Sequence, residues 1–431
     1  MADTSSRAST IKRMQLTSNQ GVAVDISPMV TDFSYYESVL SNVITATAVC
    51  IETGHGGVKE GTILDGLPIR GGERLDVEVQ DFYGETLKLE LYVNRIRNAS
   101  STTQKNLYFL DFASKYYFAN EQTRVVRAYK DAPISTHVST IINNQFKGAK
   151  INTDETSFNY RFIGNDRKPL YVCTWLASRS VPKAESSGGG GSNTVGGAAG
   201  YFFYETRDSF NFRSIDKLFK EDVKRTYKYT ATPNQEPNNT KGGQPVYKVL
   251  RYNIDSDVDV QSNMTLGTYN NRTIYFDPVG MRYRVVGYNI ENQKGKITTA
   301  GDKEASRLVN EQFITSPTRL MSAVLDIGYN TELDKWKDNP VKANYDAPKT
   351  MAQSIMRYNQ LFTIQSEVTV SGDLGIRAGD LIELILPEPG EKPEINKKTG
   401  GKYMVANVCH KITPTDTFSQ YSLVRDSYGK A

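Results

Sequence analysis

The residues best suited to catalysis or metal binding in this chain are three histidines, three cysteines and one run of spaced carboxylates. His55, His137 and His410 lie far apart, and none stands in an HxxxH or HxE spacing with acids nearby, which a bound zinc would need. His137 falls on a stretch of helical periodicity, where a capping or exposed role is expected, and His410 falls in a strand. Cys50, Cys173 and Cys409 are scattered, odd in number and without a CxxC, which speaks against a disulfide framework and for folding in a reducing cytoplasm. Cys173 shares an apolar helical face and reads as a core thiol. Asp255, Asp257 and Asp259 would suit a hard cation, but the glycine and the final bidentate acid of an EF-hand are replaced by Val260 and Leu266, so a solvated turn or helix start is expected. Gly188 to Gly191 lack the Lys and Ser or Thr of a P-loop, and there is no GxSxG elbow. Paired carboxylates could still meet in space. The expectation is no catalytic, cofactor-binding or metal-binding residue: a structural or interaction protein rather than an enzyme.

Composition agrees with that class. A chain of 431 residues has room for about three domains, each able to bury its own core. With 52 basic against 48 acidic residues the formal net charge is only +4, so no strong affinity for polyanions is implied. No apolar run reaches the ~18 residues of a membrane span, and Met1 to Thr10 lack the apolar core of a signal peptide. The 26 tyrosines sit in strand-like runs such as Tyr201 to Tyr204 and Tyr283 to Tyr288, and they are not grouped with basic residues. They therefore read as β-rich core and interface rather than as a base-stacking platform.

The elements that would position these residues are mostly strands. Val22 to Ile26, Phe33 to Glu37 and Val43 to Ile51 alternate or run apolar, and a compact β domain ends near Phe112, best closed as a barrel. After Ser114 the period changes. Ile134, Val138, Ile141, Ile142 and Phe146 predict a helix behind Pro133, Tyr160 to Ile163 a strand, and Pro169 opens a second helix carrying Leu170, Cys173, Leu176 and Ala177. The Gly/Ser tract 186–200 is expected to be an exposed loop, because Tyr201 to Tyr204 and Phe210 to Phe212 resume as strands. Further on, Tyr247 to Tyr252, Ile274 to Asp277 and Tyr283 to Tyr288 predict strands, Ser322 to Leu325 a short helix, and Thr350 to Tyr358 a helix with Met351, Ile355 and Met356 on one face. Phe362 to Val370, Leu381 to Leu386, Tyr403 to Ile412 and Phe418 to Arg425 predict a four-stranded antiparallel meander.

That last region occurs twice. Leu67, Pro68, Ile69, Arg70, Gly71, Gly72, Glu73 lie over Leu374, Gly375, Ile376, Arg377, Ala378, Gly379, Asp380, and Leu75 to Val77 over Ile382 to Leu384. Downstream, Leu91 to Ile96 are laid over Asn407 to Ile412 and Leu107 to Asp111 over Tyr421 to Arg425; upstream, Asn42 to Gly54 over Gln360 to Gly372. The expected fold class is α+β, mainly β, with two similar antiparallel β-barrels in one chain and an α+β domain between them. The boundaries are 1–115 for the first barrel, 116–220 for the middle domain with its loop 186–200, and 221–431 for the second barrel. The last is built from strands in about 221–262 and 361–426 and interrupted by an inserted β/α subdomain over about 263–360.

The run Val370, Ser371, Gly372, Asp373, Leu374, Gly375, Ile376, Arg377, Ala378, Gly379, Asp380, Leu381, Ile382, with Gly401 to Val405, Val408 and His410, resembles the C-terminal barrel of tail hub proteins. These are the central baseplate hubs of contractile-tailed phages, related to late control protein D and to the hub part of VgrG in type VI secretion. Lys168 to Ala177 followed by Tyr201 to Phe212 looks like that family's middle domain. The loop 186–200 and the polar segment 291–349 depart from the pattern. The resemblance implies a homotrimer whose two barrels per subunit alternate around a ring. Pseudo-sixfold symmetry would let it join a hexameric tail tube, or tube-initiator proteins, to a trimeric central spike while enclosing the channel for DNA. It also implies contact with baseplate wedge proteins, only transient and non-specific passage of DNA, a place in the virion tail baseplate after assembly in the host cytoplasm, and a spike on a separate chain, since no β-helical repeat follows Asp426. The competing expectations are the hub of a related contractile injection or secretion system and a tail-associated cell-wall hydrolase.

Overall fold

The computed structural model describes residues 8–53, 63–67, 69–102, 104–183, 199–230, 246–256, 259–278, 280–289, 298–301, 303–304, 316–326, 347–388, 396 and 398–429. Residues 186–198 of the Gly/Ser tract, His55 and most of 291–349 lie outside them. Strands β1 (Thr10–Thr17), β2 (Ala23–Asp25), β3 (Val30–Ser38), β4 (Thr45–Glu52), β5 (Arg74–Gln80), β6 (Thr86–Ser101) and β7 (Asn106–Ala113) form the first barrel, with a one-turn helix α1 (Ile63–Gly66) between β4 and β5. The alternation that predicts them is realised: Leu75, Val77, Val79, Leu87, Leu89, Leu91 and Val93 point into one core with Phe33, Tyr35, Ala46 and Ala48. The Ile26 N–H donates to the Met14 carbonyl at 2.9 Å, which continues the β1–β2 ladder past Asp25.

Next comes α2 (Lys115–Gln122), then β8 (Ala128–Pro133), α3 (Ile134–Gln145), β9 (Ile151–Thr153), β10 (Asn159–Ile163), α4 (Pro169–Ala177), β11 (Tyr201–Glu205), β12 (Phe210–Ser214) and the short α5 (Ile215–Leu218). Both predicted helices are present, with Pro169 at the first turn where its missing N–H costs nothing. The second part of the chain holds β13 (Arg225–Tyr229), β14 (Val246–Ser256), α6 (Val260–Leu266), β15 (Asn270–Asp277), β16 (Arg282–Asn289), β17 (Lys303–Glu304), β18 (Arg319–Val324), α7 (Ala347–Leu361), β19 (Ile364–Ser371), β20 (Leu381–Ile385), β21 (Gly401–Ile412) and β22 (Thr417–Arg425). Among the described residues no helix is long and apolar enough to cross a membrane.

Thirteen strands make one continuous sheet in the order β2-β1-β5-β6-β7-β4-β3-β21-β20-β13-β14-β19-β22, and β22 returns to β21. The second barrel is therefore a closed ring of six strands, as a mainly β fold with two barrels requires. Within it β13 runs parallel to both β20 and β14, the exception to antiparallel pairing. The predicted meander is corrected in one respect: β19 pairs with β14 and β22 rather than β20. The link from β19 to β20 crosses the end of the barrel, because Leu374 within it is drawn into the core of the first barrel. The stretch Ser322 to Leu325 is also corrected, from helix to strand. Leu320, Ser322 and Val324 face out while Arg319, Met321 and Ala323 are covered, a period of two, and β18 lies parallel to β15.

The duplication is explicit in the hydrogen bonds. Gly72 N–H donates to the Val93 carbonyl and Val93 N–H to the Glu73 carbonyl; Gly379 N–H donates to Val405 and Val405 N–H to Asp380. Glu73 caps the Arg70 and Gly71 amides as Asp380 caps the Arg377 amide. Gly72 and Gly379 share φ of +86° and +91°, which only glycine adopts without strain. Bulges recur at matching places, between Val93 and Arg95 and between Val405 and Asn407, and again between Val30 and Asp32 and between Val249 and Arg251. These ladders correct the strand alignments downstream and upstream of the turn. Leu75 does correspond to Ile382, but Val93 corresponds to Val405, Leu110 to Tyr421 and Ala46 to Ser366. Each differs by two to four residues from the spacing expected above, since loop lengths between the shared strands differ in the two copies.

Candidate functional site

The feature that the elements converge on is the junction of the two barrels. β21 changes partner midway. Gly401 to Met404 pair with β20, and from Asn407 to Ile412 the same edge pairs with Ser38 to Phe33 of β3. The bulge after Val405 makes that change of direction possible, and the carbonyl of the buried Ala406 accepts the Val39 N–H at 2.9 Å. A second clasp lies beside it: Asp81 Oδ2 accepts the Leu374 N–H at 2.9 Å, and Arg225 pairs with Glu85 at 3.1 Å, in both cases across the barrels.

Into this junction the tip of the β11–β12 hairpin is inserted. Tyr35 and Glu37 occupy inward positions two apart on β3, and Glu37 accepts from three directions. Its donors are Tyr35 Oη at 2.7 Å, the Arg207 amide at 3.0 Å and the Ala378 amide at 3.0 Å, so one carboxylate ties the first barrel, the hairpin and the second barrel together. Glu205, at the end of β11 and two residues before Arg207, accepts from the Ile44 amide at 3.0 Å and Ser114 Oγ at 2.8 Å. Arg377 of the shared turn pairs with Asp208 on the same hairpin tip. A Cβ at Gly379 would lie 2.1 Å from the Tyr204 hydroxyl, so the second copy of the turn is shaped to receive the hairpin.

Burial sets the electrostatics here. It raises the Glu37 carboxyl above its ordinary range against the opposing effect of its donors, and pushes Glu205 up to about 8, with the Glu37 charge adding to the shift. His410, fully buried, is pushed down to about 3 by desolvation and then by the Arg207 charge. It is a neutral ring, bonded through Nδ1 to Ser419 Oγ at 2.8 Å and lying parallel to Tyr35 with 6.2 Å between ring centroids. A pH dependence follows. The folded Glu205 carboxyl sits above its unfolded value of 4.5, so its contribution is fully present below about 4.5 and is lost as pH rises toward about 8. Glu205→Gln should flatten the fall of melting temperature between pH 5 and 8 and leave the pH 5 value nearly unchanged; parallel curves for the two proteins would refute this.

The residues singled out in the sequence are not brought together. His137 is buried rather than exposed, its Nε2 donating to the Tyr160 carbonyl at 2.7 Å, because its helix packs on β10. Cys173 is a core thiol raised by burial, Cys50 is pushed up to about 12 by burial in the first barrel, and Cys409 is half-buried on β21. Asp259 caps α6, accepting from the Ser262 amide at 3.0 Å, which is the helix start expected; Asp257 lies outside the described residues. Among the described residues no three His, Cys, Asp or Glu side chains are placed to hold a metal. Glu37, Glu205 and Arg357 were missed. The signal for Glu37 was parity, since Phe33, Tyr35 and Glu37 share one face of β3 and the first two are core.

No family model matches the sequence, and no curated protein matches it. Solved structures do. The tail protein from Neisseria meningitidis MC58 superposes with a TM-score of 0.56 at 10% identity, over 97% of this chain and 97% of that one. The 43 kDa tail protein of prophage MuSo2 from Shewanella oneidensis does so with a TM-score of 0.55 at 11% identity, over 96% and 98%. The chain has the fold of these phage tail proteins. The resemblance read from the Val370 to Ile382 run and from Lys168 to Phe212 is thus met at the level of architecture, along nearly the whole chain.

Proposed function

We propose that the chain is a structural hub of a contractile phage tail, a non-enzymatic homotrimer at the baseplate of the virion. Two equivalent barrels fused through one continuous sheet carry this reading, because such a chain offers two similar positions per subunit. Three copies then present six barrels to a hexameric tail tube while keeping threefold symmetry for a trimeric spike, and a closed ring leaves no unmatched interface. The domains are 1–115, 116–220 and 221–431, the last interrupted over about 263–360. The buried acids of the junction support a mechanical role, since each is occupied by donors of neighbouring elements. The ring would enclose a channel for DNA, which the small net charge of +4 suits, because dense cationic walls would hold phosphates. Wedge and tube proteins would contact its rim, and assembly would take place in the host cytoplasm. Light scattering on the full chain, alone and with its spike, should return a trimer; a monomer or dimer under every condition would sink the proposal.

A further inference from the structure

The middle unit carries arginines that its own acids do not answer. Arg124, Arg127 and Arg167 are exposed, and among the described residues none of them pairs with a carboxylate. Arg124 donates through Nη1 to the carbonyls of Glu121 and Thr123, at 2.9 and 2.8 Å. The guanidinium of Arg127 lies over the ring of Tyr129, 4.8 Å from its centroid, and that of Arg167 over the ring of Tyr171 at 5.8 Å. The acids of the same segments are Glu121, already paired with Lys168, and Asp166. Three guanidiniums therefore stand against one spare carboxylate.

The backbone gathers these side chains at one corner. The Val125 N–H donates to the Arg167 carbonyl at 2.9 Å, the Asp166 N–H to the Val125 carbonyl at 3.1 Å and the Gly164 N–H to the Arg127 carbonyl at 3.1 Å, so the turn after β10 is strapped along the segment that leads into β8. A Cβ at Gly164 would come within 2.1 Å of the Val125 carbonyl oxygen, so only glycine lets the two backbones lie so close. Asn165 and Asp166 take φ of +50° and +55°, a left-handed pair that a tight, well-held turn imposes on non-glycine residues. Beside the arginines the surface is apolar: Val126 is 68% exposed, Tyr171 54% and Ile163, opposite Ala128 of β8, 46%. Cations interleaved with bare apolar side chains on a fixed backbone make up a protein interface rather than a solvated charged face.

We infer that this corner docks an acidic segment of a partner protein, with carboxylates meeting Arg124, Arg127 and Arg167 and apolar side chains between them covering Val126, Ile163 and Tyr171. A guanidinium presents a fork that a carboxylate fills with two hydrogen bonds, and Arg127 and Arg167 are already steadied on their rings, so little freedom is lost on docking. A nucleic acid fits less well. Bases need open aromatic faces, whereas Val126 and Ile163 have none and the ring of Tyr171 is overlain by Arg167, and the carboxylates of Asp166 and Glu121 would repel phosphates. The inference concerns the middle unit alone and stands apart from the hub reading.

Fluorescence anisotropy on the full chain tests it with three labelled probes of equal length: a peptide alternating Glu with Leu, the same peptide with Gln for Glu, and single-stranded oligothymidylate. The Glu peptide should bind, more weakly as salt rises, and the other two should bind roughly tenfold less tightly or worse. Replacing Arg124, Arg127 and Arg167 together by Gln should abolish the preference for the Glu peptide, and the exposed positions keep the melting temperature as a check that the variant is folded. Val126→Asp, which keeps all three arginines but sets a carboxylate among them, should weaken the Glu peptide too. Arg13→Gln, Arg74→Gln and Lys88→Gln together remove as much charge from the first barrel and should change nothing. Equal binding of the Glu and Gln peptides, tighter binding of oligothymidylate, no binding of any probe, or an equal loss in the first-barrel variant would each overturn the inference.

Discussion

Glu37→Ala is expected to loosen the barrel junction by about 3 kcal/mol or more, since each buried donor left without an acceptor costs ~1–3 kcal/mol. Three donors are affected, the Tyr35 hydroxyl and the amides of Arg207 and Ala378, and they belong to three different parts of the fold. The side chain is 3% exposed, so water cannot take over the role. Because a chain with several cores need not unfold in one step, the sensitive measurement is hydrogen exchange at the two amides. A loss of ~3 kcal/mol is roughly a hundredfold rise in opening at Arg207 and Ala378, with little change at Val138 or Ile141 in the middle core. Glu37→Gln should fall between, because its Oε1 still accepts while its NH2 meets a donor where the carboxylate had an acceptor. Unchanged protection at both amides in the alanine variant would remove Glu37 from its place at the junction.

How far the sequence led can be judged from such residues. Period-two alternation exposed the barrel strands, and the glycines at 72 and 379 marked the repeated turn because positive φ is written in residue type. The strand alignments beyond the turn slipped because alternation repeats every two residues and carries no register; bulges and ladders fix it, and these depend on partners far away in the chain. The meander failed for the same reason, as nothing in Phe362 to Val370 says that its partner is β22 rather than β20. At Ser322 the apolar run was too short to separate helix from strand. The junction itself was illegible: Glu37 lies 170 residues before the Arg207 amide it accepts from, and only Glu37 carried a local sign of burial.

The second large effect is expected at Arg357. This side chain of α7 is 1% exposed and donates to Asp426 at 2.6 Å, to Asp216 at 3.1 Å and to the Thr298 carbonyl at 2.7 Å. It thereby ties the end of the second barrel to α5 of the middle unit, next to the core formed by Leu361, Phe202, Ile215 and Leu381. Arg357→Met keeps the bulk but strands two carboxylates away from solvent, and breaking a buried pair by removing one partner costs ~3–5 kcal/mol. A buried ion cluster is costly to desolvate in the first place, so taking out all the charges should be far gentler than taking out one. Arg357→Met combined with Asp216→Asn and Asp426→Asn is therefore expected to recover most of the loss in melting temperature seen for Arg357→Met. The comparison is a strongly non-additive cycle, with the aspartates coupled to the arginine rather than contributing independently. If Arg357→Met leaves the melting temperature unchanged, or the triple variant is worse than the single one by the sum of its parts, the cluster is not what joins α7, α5 and the second barrel.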